Sequence, residues 1–411
     1  MINKEVYIIN GKRTPIGKFL GSLYESDPSE VCSQLIKEGF DFKLIKDVEE
    51  VIIGNVISAG TGQGVARKIS IKSGIPEEVP AYSLNMVCGS SMQAINNAVN
   101  EIKCGKNLVL CGGFEFMSNI PFATNSYIRL GKKFGDFTMT DLMTHDGLID
   151  AFSGVHMGIT AENIAKKYHV TREEQDEYAY KTQMRAIDAV DNHKFDDEIV
   201  SIKLKDYHGR EYIFDTDEFP NRKTTIEKLR TLKPTFLKDG TGTVTAGNTS
   251  GINDGASFLL LASKEYCIEN DITPLAKIID SKVVGCNPQL MGLGPFYSIS
   301  KLLDDNQLSL DGIDYFEINE AFAAQVLGCM KLLQEKYKYD YSKIIERCNI
   351  YGSGLGLGHP LGATGARIVT TLIHILNNEN AKYGIASLCI GGGMGAAMLL
   401  EKVNNDEFIK R

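Results

Sequence analysis

The sequence has no hydrophobic run that approaches the roughly 20 residues needed to cross a bilayer. At the amino terminus, Lys4 and Glu5 precede a four-residue apolar stretch in MINKEVYIINGKRTP. This stretch is too short and too interrupted for a secretory signal, and we expect it to form a first strand. We therefore expect a cytoplasmic protein with no membrane partner.

The nine cysteines lack the spacings that hold zinc or form a redox CxxC pair. Their number is odd, and in a chain without a secretion signal the expected state is reduced thiols in the cytosol. No other cluster of metal-ligating residues stands out in the sequence. We therefore expect that the protein requires neither a metal ion nor a resident cofactor.

The chain also lacks an excess of positive charge: 44 lysines and arginines stand against 52 acidic residues, and the formal net charge is −8 at pH 7. A protein that binds nucleic acid generally carries a basic patch, so we expect no nucleic-acid partner. The exception is the segment 201–238, which carries nine lysines and arginines against six acidic residues. This segment predicts either a solvated charged face or a binding site for an anionic ligand that bears phosphates.

The chain has 411 residues, 43% of them hydrophobic, which is enough for about two or three units with their own cores. Short β-rich runs alternate with helical patterns, which predicts an α/β fold. The predicted strands are EVYII, EEVIIGNV, NLVLCGG, LAKIIDSKVVG, YFEIN and GIASLCIGGG.

Two stretches have clear helical patterns. GSSMQAINNAVNEIKCG is a predicted helix whose start Ser90 or Ser91 can cap. Residues 160–190 form a longer stretch in which Thr171 and Glu174 have capping-box spacing. This spacing predicts two helices with a break just before the box.

A short internal repeat organises the chain. KDVEEVIIGNV and LDGIDYFEINEAFA both place an acidic turn before a buried strand, and NLVLCGGFE and IASLCIGGG both end a strand in a cysteine and glycines. Two copies of one α/β unit, packed face to face, would relate Cys88 to the GLGLGHPLG turn by pseudo-twofold symmetry. Residues 118–250 have no counterpart in the other half, so we expect them to be an insertion.

Three reactive residues lie at the corners of these units. Cys88 stands in LNMVCGSSMQA, where an apolar run stops and a small-residue turn opens into a predicted helix. His359 follows four spaced glycines, and Cys389 ends a strand before three glycines. Glycines let a ligand approach and leave backbone N–H groups free to bind an oxyanion. A nucleophile, a base and such donors are the parts that acyl transfer needs.

Each residue has a simpler interpretation by itself. An isolated cysteine is more often a small core residue, and an isolated histidine is more often a satisfied turn residue. GSGLGLG also looks like a dinucleotide-binding fingerprint, but His359 and Pro360 interrupt the turn. Acyl transfer is favoured because all three residues lie at strand-to-turn corners of a repeated unit.

Together the motifs resemble those of the thiolase family over nearly the whole chain. The motifs that carry the resemblance are KRTPIGKFLGSL, VIIGNVISAGTGQGVARK, NMVCGSSMQAI, HDGLIDAFSGVHMGITAENIA, VTAGNTSGINDGA, LMGLGP, INEAFAAQ, GLGHPLGATGAR and CIGGGMGAAM. The resemblance implies two similar halves in five layers, α-β-α-β-α. The first half would be 1–117 plus about 251–274, the inserted loop domain 118–250 and the second half 275–411. It also implies a homo-oligomer, usually a dimer of dimers.

The resemblance also implies a reaction, the condensation of two acetyl-CoA to acetoacetyl-CoA and coenzyme A, and its reversal by thiolysis. His359 would take the proton of Cys88, which carries the acetyl group, and Cys389 would deprotonate the second acetyl-CoA. A water held by Asn319 would help His359 stabilise the enolate. The backbone N–H groups of Cys88 and Gly391 would hold the oxyanion, and helix N-termini would favour a thiolate.

By the same resemblance, coenzyme A contacts are expected at Leu148, His156, Ala246, Gly247 and Ser250, and contacts with the acyl end at Met157, Met291 and Phe322. The sequence His156-Met157-Gly158 is the form found in members that act on short, acetoacetyl-type chains. Two departures from the family pattern lie outside the catalytic motifs. KDGTGTVTAGN has two apparent extra residues, and Asn221 stands where related enzymes often place an arginine. Both concern nucleotide binding.

Three alternatives stay open. A broad 3-ketoacyl-CoA thiolase of fatty-acid degradation would prefer longer chains. A non-catalytic acyl-CoA or lipid carrier would need none of Cys88, His359 and Cys389, and a cysteine hydrolase would need only one cysteine. Separately, two thiols that converge on one carbon predict a reversible disulfide between Cys88 and Cys389, if their Cα atoms come within about 4.4–6.8 Å.

Overall fold

The computed structural model describes residues 4–206, 208–404 and 407–408. The strands are β1 (Val6–Arg13), β2 (Gly17–Lys18), β3 (Glu50–Gly54), β4 (Ala81–Leu84), β5 (Leu108–Phe116), β6 (Phe122–Thr124), β7 (Met139–Asp141), β8 (Ile202–Lys205), β9 (Glu211–Phe214), β10 (Asn253–Ser263), β11 (Ala276–Gly285), β12 (Tyr315–Ile318), β13 (Tyr383–Ile390) and β14 (Met394–Lys402). The α-helices are α1 (Pro28–Gly39), α2 (Phe42–Asp47), α3 (Val65–Lys72), α4 (Ser90–Lys103), α5 (Met157–Lys167), α6 (Arg172–Asp191), α7 (Ile226–Thr231), α8 (Lys264–Glu269), α9 (Gly294–Asp305), α10 (Ala323–Tyr337), α11 (Tyr341–Arg347), α12 (Gly354–Leu357) and α13 (Thr364–Asn378). Across the described residues, no helix combines the length and the apolar character that crossing a membrane requires.

Among the described residues, ten strands form one mixed sheet: nine of them make two halves that repeat the same order, and the short β2 pairs with β10 beside them. The first half runs β4-β3-β5-β10-β1, with β3 parallel to β4 and β5, and β10 antiparallel to β5 and β1. The second half runs β12-β13-β14-β11 with the same sequence of parallel and antiparallel pairs. A parallel bridge between Phe316 and Cys348 occupies the place of β4. The halves join where β1 pairs with β11, which confirms the predicted α/β fold with two similar halves.

Among the described residues, alternating side chains on the strands separate the three largest apolar cores. In β3, Val51 and Ile53 face α1 and α3, whereas Ile52 faces the central helices α4 and α13. In β13, Ile385 faces α9 and α10, whereas Leu388 faces α4 and α13. Because successive residues of a strand point to opposite faces, each half-sheet is covered on both sides. The result is the predicted order of five layers.

Most of the predicted elements are present, and two central strands are additional. The predicted strands correspond to β1, β3, β5, β11, β12 and β13, and the capping box of Thr171 and Glu174 separates α5 from α6. Strands β10 and β14 were not predicted. Their apolar residues are mainly leucine, alanine and methionine, which have no strong strand preference, and pairing on both sides holds them in the sheet.

The predicted capping of α4 by serine is wrong. Gly89 is the N-cap residue and contributes no side-chain bond, and Ser91 lies inside the helix. The Ser90 hydroxyl instead donates to the carbonyl of Val87 (2.7 Å) and accepts the N–H of Met86 (2.9 Å). The serine therefore stabilises the turn before the helix.

The strands of residues 118–250 form two separate hairpins, β6–β7 and β8–β9. Helices α5 and α6 of the same segment pack against α10, and α6 also contacts α12. These two helices therefore cover the second half of the sheet close to the end where β12 and β13 finish, whereas the β8–β9 hairpin packs against α1 of the first half. The predicted limits of the inserted domain and of the two halves stay a prediction.

Gly365 lies where the first turn of α13 touches α4. A Cβ atom at this position would lie 2.5 Å from the backbone nitrogen of Met92 and 2.8 Å from its Cβ. We expect Gly365→Ala to lower the free energy of unfolding by about 1–3 kcal/mol, because the added methyl overpacks the central layer. Thermal denaturation measures this. Gly285→Ala is the control, since nothing lies within 4 Å of a Cβ there; equal losses in both variants would contradict the expectation.

Candidate active site

Loops from both halves meet at one cavity of about 390 Å³. Cys88 comes from the turn before α4 in the first half, and His359 from the turn before α13 in the second half. Cys389 lies near the carboxyl end of β13, and Gly391 follows it into the same cavity wall. The structure thus brings together three residues that are far apart in the sequence.

Cys88 lies at a strained turn. The residue before it, Val87, has a φ of 47°, a left-handed conformation that β-branched residues rarely adopt. Burial raises the pKa of the Cys88 thiol to about 12, and the backbone N–H groups of Gly391 and of Cys88 itself oppose this only in part. The backbone donors thus favour the thiolate, as expected, but burial outweighs them and the resting group is the thiol.

His359 is oriented by three hydrogen bonds around it. Its backbone N–H donates to Asn253 Oδ1 (3.0 Å), and its Nδ1 lies 2.6 Å from Thr364 Oγ1. Because the Thr364 hydroxyl donates to the carbonyl of Pro360 (2.8 Å), we assign Nδ1 as the donor and Nε2 as the acceptor. Burial and the nearby charge of Arg367 lower the pKa of His359 to about 3. The imidazole is thus a neutral base at pH 7.

Asn319 lies beside this imidazole at the end of β12. It is fully buried, and its Nδ2 is 3.4 Å from both ring nitrogens of His359. Among the described residues, its Oδ1 has no hydrogen-bond partner. Because an unpaired buried acceptor is costly, this oxygen is available to orient a water molecule close to the imidazole.

Cys389 is the more deeply buried of the two thiols, with 1% of its surface exposed. Burial raises its pKa well above the ordinary range, and the neighbouring Cys88 thiol raises it further. The chain then turns sharply through Gly392 and Gly393, whose φ values of 84° and 85° favour glycine. This tight turn between β13 and β14 presents the N–H of Gly391 to the Cys88 thiol.

The other residues expected at the site divide between this inner cavity and an adjoining outer one. The inner cavity is lined by Leu148, His156, Met157, Ala246, Ser250, Met291 and Phe322. Gly247 lines the outer cavity of about 830 Å³, and Ala246 lines both. The cations of the outer cavity are Lys18, Arg222, Lys223 and Lys228. The pair of cavities therefore suits a long ligand with a small reactive end and an anionic far end.

Comparison with known proteins identifies the family. The profile described as "Thiolase, N-terminal domain" matches residues 6–265, and "Thiolase, C-terminal domain" matches residues 272–402. The chain belongs to the thiolase family. It is 41% identical over 406 residues to the acetyl-CoA acetyltransferase of Syntrophomonas wolfei, covering 97% of this chain and 100% of the relative.

Two solved thiolase structures have the same fold. The acetyl-CoA acetyltransferase of Bacillus anthracis superposes with a TM-score of 0.90 at 40% identity, covering 97% of this chain and 99% of that one. Human mitochondrial 3-ketoacyl-CoA thiolase superposes with a TM-score of 0.89 at 37% identity, covering 98% and 100%. The likeness therefore extends over both halves and the segment between them.

The structure of this thiolase adds one prominent residue that the motifs did not indicate. Phe236 stacks on His156 with ring centroids 4.6 Å apart and meets Phe322 edge-on at 6.3 Å. Gly158 makes room for it, since a Cβ there would lie 2.2 Å from the Phe236 ring. Phe236 belongs to no sequence motif within the charged segment 201–238, so only its position beside His156 in the structure identifies it.

A buried carboxylate holds the loop 243–250, which forms one wall of both cavities. Glu162 on α5 accepts the backbone N–H groups of Thr243 (3.0 Å) and Val244 (2.9 Å). It also accepts the Thr243 hydroxyl (2.8 Å). Because α5 begins next to its N-cap residue His156, one helix positions two walls of the inner cavity.

We expect Glu162→Gln to loosen the loop 243–250, because glutamine offers one acceptor oxygen and turns an amide N–H₂ group toward other donors. A hydrogen bond to a charged group contributes about 1.5–3 kcal/mol, so the amides of Thr243 and Val244 should exchange at least about 10-fold faster in hydrogen–deuterium exchange. Glu173→Gln on the exposed side of α6 is the matched control. Unchanged protection of the loop in Glu162→Gln would contradict this role.

Proposed function

We propose that this protein is an acetyl-CoA acetyltransferase that condenses two acetyl-CoA into acetoacetyl-CoA and coenzyme A, and that also catalyses the reverse thiolysis. The observation that carries the proposal is the meeting of two thiols, Cys88 and Cys389, and a neutral imidazole, His359, at one cavity. Acyl transfer followed by carbon–carbon bond formation needs a nucleophile and a separate base. The names of the similar proteins support the same reaction.

In the first half-reaction Cys88 receives the acetyl group. His359 Nε2 accepts the thiol proton while the sulfur attacks the thioester carbonyl and forms the new C–S bond. The backbone N–H groups of Cys88 and Gly391 stabilise the oxyanion, and one such donor contributes about 3–4 kcal/mol. The bond to coenzyme A then breaks, and the departing sulfur takes the proton of Cys389, which leaves Cys389 as the thiolate and His359 protonated. The raised pKa of Cys88 supports proton transfer during the attack rather than before it.

In the second half-reaction Cys389, as the thiolate, removes a methyl proton from a second acetyl-CoA. His359 and a water oriented by Asn319 stabilise the enolate oxygen. The carbanion attacks the acetyl carbonyl, the C–S bond to Cys88 breaks, and the Cys88 sulfur takes back the proton held by His359, while Cys389 keeps the methyl proton and is again a neutral thiol. Because burial raises the pKa of the Cys389 thiol, its thiolate is a strong base, which suits the removal of a proton from a weakly acidic carbon. Thiolysis follows the same path in reverse.

Coenzyme A would extend through both cavities, with its pantetheine arm in the inner one and its phosphates near the four cations of the outer one. This arrangement favours the second interpretation of the basic segment 201–238, a binding site for phosphates. The backbone N–H of Asn221 donates to Gln183 (2.7 Å), and Arg222 pairs with Asp191 (2.5 Å). The lysines of the outer cavity would therefore meet the phosphates most directly. In this proposal coenzyme A is substrate and product, and no metal or other cofactor takes part.

We further propose a homo-oligomer, a dimer of dimers, located in the cytoplasm. The segment 122–139 exposes the large apolar residues Phe122, Tyr127, Ile128, Leu130, Phe134, Phe137 and Met139. Exposed apolar residues in such number support an interface, and β4 offers an open edge at one end of the sheet. All nine cysteines lie within the described residues and are free thiols, which supports a reducing compartment.

Replacing each thiol separately tests the proposed roles of Cys88 as the nucleophile and Cys389 as the base. Cys88→Ala should neither accept an acetyl group from acetyl-CoA nor thiolyse acetoacetyl-CoA. Cys389→Ala should still become acetylated at Cys88, detected by mass spectrometry, but lose about 10²–10⁴-fold in thiolysis, the contribution of a general base. Cys104→Ala, at an exposed thiol, is the control.

Two results would contradict this scheme. Full activity of Cys389→Ala would favour a cysteine hydrolase, which needs only one thiol. A wild-type protein that binds acetyl-CoA but never becomes acetylated at Cys88 would favour a carrier.

The inner cavity also favours a short acyl chain. Met157, Met291 and Phe322 line it and are themselves buried, which limits the room beside the two thiols. We expect kcat/KM for acetoacetyl-CoA to exceed that for a 3-ketohexadecanoyl-CoA at least about 10-fold, since accommodating a longer chain requires these side chains to move. Faster turnover of the long chain would establish the alternative, a 3-ketoacyl-CoA thiolase of fatty-acid degradation, which the names of the Syntrophomonas wolfei and Bacillus anthracis relatives do not favour.

A further inference from the structure

Glu115 is a buried carboxylate that the reaction described above does not use. It lies on β5, with 1% of its surface exposed. Its Oε2 accepts the backbone N–H groups of Val56 (2.8 Å) and Gly362 (3.1 Å). Its Oε1 accepts the backbone N–H of Ile57 and the side-chain amide of Asn55, both at 3.1 Å. All four partners are donors, so an ionised carboxylate, which only accepts, satisfies the site.

These four hydrogen bonds join the two halves of the molecule. Residues 55–57 follow β3 in the first half, whereas Gly362 belongs to the turn between His359 and α13 in the second half. The contact leaves no spare room. A Cβ atom at Gly362 would lie 2.4 Å from the carbonyl of Phe114 and 2.6 Å from Glu115 Oε2. The turn that carries His359 is therefore seated directly on the first half through Glu115.

The charge of Glu115 does not by itself help the nucleophile. The carboxylate lies close enough to Cys88 to raise the pKa of the thiol, which disfavours the thiolate. Burial also raises the pKa of Glu115 to about 7, against the effect of its four donors, so a buried charge here is costly. The Glu115 carboxylate is therefore best explained by its structural role, which is to hold the turn at Gly362 against residues 55–57.

We propose that Glu115 is a positioning residue: it seats the turn of His359 on the first half and so sets the distance between the imidazole and the Cys88 thiol. This inference rests on the proposed acetyl transfer. Among the described residues, Glu115 is not one of those that line the cavity. Its loss should therefore affect the reaction of bound substrate and not the binding itself.

Glu115→Gln tests the inference in the thiolysis of acetoacetyl-CoA by coenzyme A. Because a misplacement of about 1 Å can cost on the order of 100-fold in rate, we expect kcat per folded protein to fall about 10- to 100-fold, with both KM values within about twofold. Alkylation of Cys88 by iodoacetamide should not slow, since loss of the negative charge lowers the pKa of the thiol. A lower kcat with undiminished alkylation separates positioning from loss of fold.

Asp314→Asn is the matched control. Asp314 Oδ2 accepts the backbone N–H groups of Lys382 and Tyr383, both at 2.8 Å, at the opposite end of β12 from Asn319. The same change of charge and hydrogen bonding there should leave kcat unchanged. If Glu115→Gln does not fold, Glu115→Asp provides the comparison, because it keeps the charge but withdraws it by one methylene and should also lower kcat.

Two results would be decisive against the inference. Wild-type kcat in the folded variant, or a rise in KM alone, would overturn the positioning role while leaving acetyl transfer intact. Failure of the wild-type protein to thiolyse acetoacetyl-CoA would instead overturn the proposed function, and the positioning role with it.

Discussion

The packing of α4 against α13 in the central layer is the contact on which the site depends. Cys88 precedes the first residue of α4 by two positions, and His359 precedes that of α13 by five. The two helices come from different halves, so their contact brings the two reactive turns to the same place. Gly365 against Met92 lets the helix backbones approach closely. A larger side chain at this contact would separate the helices, and the thiol and the imidazole with them.

Buried charges then determine how the loops are arranged around the cavity. Glu320 accepts the hydroxyl of Tyr178 (2.8 Å) and the amide of Asn349 (2.7 Å), and Glu317 pairs with Arg367 (2.7 Å). A buried charge is costly unless its partners are in place, so each carboxylate disfavours other arrangements of the loops that it joins. Arg367 has a second effect, because its guanidinium charge lowers the pKa of His359 and helps to keep the imidazole neutral.

Much of the fold could be predicted because local pattern and final structure agree. Strands such as β3 and β12 are short apolar runs with β-branched or aromatic residues, and the capping box before α6 uses only residues within one turn. The prediction missed the two strands whose conformation depends on pairing within the sheet rather than on local sequence. Strands β10 and β14 contain leucine, alanine and methionine, which helices accept equally well, and their partners lie far away in the sequence.

The candidate site divides in the same way. Cys88, His359 and Cys389 could be found because each stands where an element begins or ends beside glycines. Phe236 and Glu115 could not, because neither belongs to a local pattern. Their importance comes from contacts across the chain, with His156 for the ring and with Gly362 for the carboxylate.

The sequence by itself determined which reactive groups are present, their positions at the ends of strands and helices, and the duplication that relates them, because these features depend on residues close together in the chain. Only the tertiary structure decided that both thiols and the imidazole are neutral at rest and that they share one cavity. The physical reason is that burial sets both properties. The residues that exclude water from a side chain come from every layer of the fold, and their arrangement exists only after the two halves have packed together.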